Sequence, residues 1–293
     1  MTGHSAARST PPANRHLPGL DTHRLDIGEG DFETLASLIH QLSGIVIGEN
    51  KRLLLISRLR KRLAALRIHD FGAYLELLKS PQGEHETREF INAMSTNLTG
   101  FFREAHHFRD VVDELRNGIA TQPDIRRARI WSAACSTGEE PYSIAMALMR
   151  SGLMEQITDL RILATDIDTN VLQTARDGVF SARQMNACAK ETRLDCFDSL
   201  PDGRFRIVAP IRRLIVFNQL NLQKRWPMKG PMDAIFCRNV LIYFDDSAKH
   251  AIVERMVKLL RPGGTLYLGH SEALLGNNPA LERRGQCIFR KKE

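Results

Sequence analysis

The sequence predicts a doubly wound, Rossmann-like α/β sheet, preceded by a small all-helical domain and carrying an inserted antiparallel β-subdomain. Three observations predict it. After residue 105, short and continuously apolar runs ("RARIWSA", "LRILATD", "PMDAIFC", "GGTLYLG") alternate with helical patterns, as parallel strands covered on both faces do. Before residue 96, closely spaced helical patterns form a unit of their own. Between 203 and 220, "GRFRIVAPIRRLIVFNQL" alternates basic and apolar residues around Pro210, the pattern of a solvent-facing antiparallel hairpin.

Residues 1–26, with Pro11, Pro12 and Pro18 among scattered polar residues, show no hydrophobic period and read as a disordered leader. A helical domain is expected over 27–95. Asp31 is a candidate N-cap for a helix bearing Phe32, Leu35, Leu38, Ile39 and Leu42, with Gly44 as its stop. The next helix aligns Leu55, Leu59, Leu63 and Leu66; Asp70 caps "FGAYLELLK", and "HETREFINAMS" completes the unit. Residues 96–105 form a linker, "TNLTGFFRE" at its centre, and 106–293 form the α/β domain, with the β-hairpin inserted at about 203–220.

Composition narrows the function classes. With 43% hydrophobic residues, a substantial core is expected. No apolar run approaches the ~18 residues of a membrane span, and the first 26 residues lack a signal-peptide core, so a cytoplasmic protein without direct membrane insertion is expected. Five cysteines without a C-x-x-C pair signal neither a disulfide framework nor a zinc site, and no metal is expected. The net charge of +7 is local: residues 51–67 hold seven basic and no acidic residues. A nucleic-acid methyltransferase would need a broad basic surface and stacking aromatics. The confined charge and 6% aromatic content argue against nucleic acid.

The loop "AACSTGEEPYS", residues 133–143, lies where an open parallel sheet binds its ligand. It lacks G-x-G-x-x-G, and Glu139 and Glu140 would repel a pyrophosphate. A cationic ligand without phosphate suits it, and S-adenosylmethionine has a sulfonium, an ammonium and a ribose diol. Asp166, ending the next strand, is placed to bind that diol, and Asp168 reads as a helix cap. "DAIFCRNVLIYF" adds Arg238, Asn239 and Tyr243 beyond another strand end.

Taken in order, "TNLTGFFRE", "STGEEPYSIAM", "ATDID", "IFCRNVLIYF", "LRPGG" and "LGHSE" resemble the CheR-type chemotaxis receptor (protein-glutamate) O-methyltransferases over roughly residues 26–293. The resemblance implies S-adenosylmethionine contacts at Asn97, Thr99, Arg103, Glu140, Asp166, Asn221, Leu222, Arg238 and Asn239, with S-adenosylhomocysteine as product. Ala134 stands where many members carry glycine. It also implies methylation of glutamates on methyl-accepting chemotaxis receptors, whose cytoplasmic part is a helical coiled coil, by an enzyme recruited to receptor arrays. The rival readings are the nucleic-acid enzyme and a non-catalytic S-adenosylmethionine-binding signalling module.

Methylating a carboxylate needs no base, since a glutamate of pKa ~4.3 is already ionised at neutral pH. The site must instead position the reactants and exclude water. Arg103 and Tyr243 are the candidates for orienting the glutamate. His106, His107 and His270 read as structural or exposed, and Cys135 as a small loop residue. Arg58 and Arg62, on one flank of a basic helix without i,i+4 acidic partners, are candidates for receptor docking. In this family a small β-subdomain can bind a receptor tether peptide; the short "CFDSLPDGRFRIV" segment leads us to expect a tether-independent enzyme.

Overall fold

The computed structural model describes residues 26–121, 126–272 and 278–293. The expected leader therefore lies, except for Asp26, outside the described residues.

Four helices form the N-terminal unit: α1 (Glu29–Ser43), α2 (Arg52–Leu66), α3 (Phe71–Lys79) and α4 (Glu84–Met94). Each turns one apolar stripe inward. Leu35 and Ile39 of α1, Leu55, Leu59 and Leu63 of α2, and Phe90 of α4 are fully buried together. Asp70 caps α3 by accepting the Ala73 N–H. Asp31 does not cap α1: Gly28 holds that position and Asp31 falls in the first turn, where its charge meets the helix dipole instead. Gly44 ends α1 in the left-handed conformation, and a Cβ there would meet the Gln223 side chain at 2.2 Å. The turn thus requires glycine both for its φ and for close approach to the second domain.

Between these helices lies a buried acid. Glu86 of α4 accepts from Tyr74 Oη at 2.7 Å and from Arg62 Nε and Nη2 at 3.0 and 2.5 Å. Glu89 adds a second carboxylate to Arg62 at 3.4 Å. The acidic partners that the sequence of α2 lacks arrive from another helix.

The second domain runs α5 (His106–Thr121), β1 (Arg127–Ala133), α6 (Glu139–Arg150), α7 (Leu153–Gln156), β2 (Asp159–Asp166) and α8 (Thr169–Asp177). It continues through β3 (Val179–Phe180), α9 (Lys190–Cys196), β4 (Phe197–Ser199), β5 (Phe205–Ile207), α10 (Ala209–Arg212) and β6 (Ile215–Gln219). Last come β7 (Met232–Cys237), α11 (Asp246–Leu259), β8 (Leu260–Leu268), β9 (Leu281–Gly285) and β10 (Ile288–Lys291). Among the described residues the main sheet has seven strands in the order β6-β2-β1-β7-β8-β10-β9. The first five in that order are parallel, and β10 runs antiparallel to both β8 and β9. Strand order reverses between β1 and β7, which places the crevice for a ligand beyond their carboxyl ends. Alternate residues feed two cores: Ile130 and Phe236 enter one face, Trp131 and Ile235 the other.

The hairpin expected at 203–220 is corrected. Phe205–Ile207 does pair antiparallel, but with β3 and β4 in a separate three-stranded sheet. Ile215–Gln219 is instead a parallel edge strand of the main sheet, in register with β2 from Ile162↔Ile215 onward. Its alternation is that of an edge strand with an exposed Val216, which sequence cannot distinguish from a hairpin arm.

Because Glu86 is buried and Arg62 is its cation, we expect Arg62→Ala to lower the unfolding free energy by about 3 kcal/mol, measured by chemical denaturation.

Candidate active site

A cleft opens beyond the carboxyl ends of β1, β2, β6 and β7. Its lining includes all ten side chains expected at the cofactor or acceptor position, from Asn97, Thr99 and Arg103 of the linker to Tyr243 after β7. Arg58 and Arg62 are not among the lining residues.

The floor is built on the loop after β1. Ala134 and Ser136 have φ of 65° and 50°, and Gly138 98°. Such a backbone is costly for residues with a Cβ, which explains why glycine suits position 134. The turn delivers Glu139 and Glu140 into the first turn of α6, where the helix dipole favours a carboxylate. Glu140 accepts from Ser132 Oγ at 2.7 Å and from Arg238 Nη1 at 2.9 Å. Burial raises its pKa above the ordinary range, with Arg238 and Ser132 opposing.

Arg238, buried at the end of β7, reaches three ways. Besides Glu140 it meets Glu104 Oε2 at 3.3 Å and donates to the Arg103 carbonyl. One guanidinium thus serves two carboxylates, and the floor tolerates an added positive charge. The cationic methionine end of S-adenosylmethionine fits that balance.

Asp166 closes β2 with both oxygens engaged: Oδ2 accepts Ser136 N at 2.8 Å and Oδ1 accepts Asp168 N at 3.0 Å. A carboxylate has about four acceptor positions, so room remains for hydroxyl donors. Burial pushes its pKa up to about 6. Asp168 caps α8 through Asn170 N and Val171 N, and its other oxygen accepts from Asn97 Nδ2 at 2.7 Å.

Two expected contacts also hold the domains together. Asn97 spends its amide on Asp168, and Asn221 donates to the Leu42 carbonyl of α1 at 2.7 Å. Val46 N donates to the Tyr243 carbonyl at 2.9 Å, bringing the helical unit to the rim.

Arg103 projects from a tight turn whose neighbours Phe102 and Glu104 have φ of 52° and 56°. Phe101 anchors this turn against Phe180 and Phe197 of the small sheet, and Phe102 N donates to Ser143 Oγ. The Arg103 side chain is exposed, with a 3.3 Å bond to the Leu98 carbonyl. It is a cation held near the mouth by its backbone.

Arg58 and Arg62 need correction as free docking cations. Arg58 donates to the Met94 and Ser95 carbonyls and to Thr96 Oγ1, thereby shaping the rim, and Arg62 pairs with Glu86. Lys61 and Arg67 are exposed on the same segment.

Burial and the nearby Arg238 lower the His107 pKa to about 3, and burial pushes the Cys135 thiol well above its ordinary range. Sequence reasoning missed Glu104 and Glu272. Both stand in quoted motifs, "FFRE" and "LGHSE", but only burial distinguishes them from surface acids.

Two family profiles match the chain: "CheR methyltransferase, all-alpha domain" over residues 30–95 and "CheR methyltransferase, SAM binding domain" over 97–288. Among similar proteins, the chemotaxis protein methyltransferase of Escherichia coli K12 is 40% identical over 272 residues, covering 92% of this chain and 93% of the relative. That of Salmonella typhimurium is 39% identical, covering 92% of each chain. Chemotaxis protein methyltransferase 2 of Pseudomonas aeruginosa is 41% identical, covering 95% of this chain and 99% of its own.

A raised Asp166 pKa has opposite consequences for folding and for binding. Stability contributed by this group falls as pH rises from its ordinary 3.8 to about 6, because the folded state holds the proton more tightly. A ribose diol at Asp166, the contact expected from the sequence, would by contrast donate to the ionised form. Affinity for S-adenosylhomocysteine should be full above about pH 6 and decline below it, by up to about tenfold per pH unit. Calorimetric titration checks this, and Asp166→Asn should remove the step.

Proposed function

Because the chain belongs to the CheR methyltransferase family, we propose that this S-adenosylmethionine-dependent methyltransferase of chemotaxis esterifies glutamate side chains of its chemoreceptor substrates. The carrying observation is the polarity of one cleft: carboxylates Glu140 and Asp166 at the strand ends, and an exposed Arg103 on the linker turn. When bound, S-adenosylmethionine supplies a methyl group on a sulfonium, and the products are the methyl ester and S-adenosylhomocysteine.

The residues divide the work. Glu140, held by Ser132 and Arg238, receives the cationic end of the cofactor, and Asp166 receives the ribose hydroxyls. Asn97, Thr99, Asn221, Leu222 and Asn239 complete that enclosure. Arg103 and Tyr243 orient the incoming carboxylate. Arg103 is effective because it is weakly engaged: a tight ground-state ion pair would not speed transfer. No general base is needed, since an ionised carboxylate has no proton to remove. Positioning and water exclusion carry the rate.

The receptor's helical coiled coil would approach across α2. With Arg58 and Arg62 tied inward, Lys61 and Arg67 supply exposed charge on that segment. The short β4–β5 turn, closed by Leu200 N to the Arg204 carbonyl, supports tether-independent recognition. Action at cytoplasmic receptor arrays follows from this substrate.

The test is transfer of radiolabelled methyl to membranes containing chemoreceptors. Alkali-labile label on the receptor is expected; label stable to alkali would exclude a glutamate ester. In the same assay Arg103→Ala should cost about 100-fold in turnover with folding intact. Lys61→Glu should raise KM several-fold at low salt, an effect that fades as salt screens it. Unchanged kinetics would remove either role.

A further inference from the structure

The last wall of the cleft, residues 238–243, is held by a carboxylate that does not itself line the cavity. Glu272 is buried at 3% exposure and accepts three backbone N–H groups. Its Oε2 takes Asn239 at 2.9 Å and Gly269 at 2.7 Å, and its Oε1 takes Leu241 at 2.7 Å. Charged acceptors make the stronger class of hydrogen bond, and all three donors here are fixed in the backbone. Asn239 needs such support: its φ is 57°, in the left-handed region.

The backbone is cut to fit this carboxylate. A Cβ on Gly269 would come within 2.6 Å of Asn239 Nδ2, 2.7 Å of Glu272 Oε2 and 2.8 Å of Asn239 N. The strand end of β8 therefore approaches the 238–243 loop as closely as glycine allows. From the clamped segment Asn239 and Tyr243 both reach the cleft, whereas Glu140, Asp166 and Asn221 belong to other strand ends and make no contact with Glu272 among their hydrogen bonds.

We propose that Glu272 is a positioning residue for methyl transfer: its three backbone bonds set the height of the Asn239–Tyr243 wall and hence the alignment of the acceptor. This rests on the functional reading above. Disturbing the clamp shifts Asn239, which also belongs to the cofactor enclosure, together with Tyr243, while Glu140 keeps Ser132 and Asp166 keeps its backbone donors, so it lowers the transfer rate more than it lowers cofactor affinity.

The test compares wild type, Glu272→Gln and Gly269→Ala as full chains. Glu272→Gln would turn an amide NH2 toward backbone donors; Gly269→Ala leaves the carboxylate and pushes Asn239 away from it. Three readouts are taken: kcat and KM on receptor membranes, Kd for S-adenosylhomocysteine by calorimetry, and amide exchange at Asn239, Leu241 and Gly269. Each variant is expected to lose at least about tenfold in kcat with KM and Kd within about threefold, and exchange at the three amides should rise at least about tenfold in Glu272→Gln. A kcat within about twofold of wild type overturns the proposal. So does a parallel loss of kcat, KM and Kd, which marks a merely structural role, and so does failure of both variants to fold. If only one folds, that one decides by the same criteria. A wild-type chain that binds S-adenosylhomocysteine yet labels no receptor counts instead against the functional reading; unaccelerated exchange would then still overturn the clamp.

Discussion

Arg238 is the constraint on which the site depends. It follows directly on β7, and its guanidinium is almost wholly enclosed between Glu140 of α6 and Glu104 of the linker turn. It also lies 5.5 Å from the Phe108 ring centroid of α5. The segments around residues 104–108, 140 and 238 thus meet at one cation. An enclosed charge of this kind is costly to desolvate and adds little net stability, but it fixes which groups must meet. Here it fixes the floor of the cleft against the turn that presents Arg103.

A second consequence is that the helical unit is a wall of the site. Asn221 reaches the Leu42 carbonyl, Val46 N meets the Tyr243 carbonyl, and Asn92 of α4 bonds to Thr169 at the start of α8. Arg58 turns the end of α4 into the rim through Met94, Ser95 and Thr96. Basic residues that look like a docking face from composition are, in part, ties within the helical unit and to the start of the linker. Guanidinium groups suit this task because their several fixed donors satisfy carbonyls at a chain reversal.

The buried acids differ by what faces them. Glu86 is met by a guanidinium and a phenol, Glu272 by backbone N–H groups, and Glu140 by a guanidinium and a hydroxyl. Burial pushes the Asp166 pKa up to about 6, against the backbone N–H groups it accepts.

Much of this was legible without coordinates. The apolar runs at 127–133, 159–166 and 232–237 became β1, β2 and β7, because a strand covered on both faces must be apolar at successive positions. Asp70 and Asp168 cap as their places before helical patterns required. The ten expected cleft residues line one cavity because strand ends and their loops share one edge of a parallel sheet. What the sequence could not determine was pairing across distance. Alternation at 203–220 fits a hairpin and an edge strand equally, and only the neighbour of each strand decides. Arg62 looked free because its partner is on α4, and Glu104 and Glu272 looked like surface acids because burial is not written locally. Periodicity and caps are short-range properties and can be read from the chain itself; charge partners and close approaches belong to the packed structure, where residues far apart in sequence exclude water from one another.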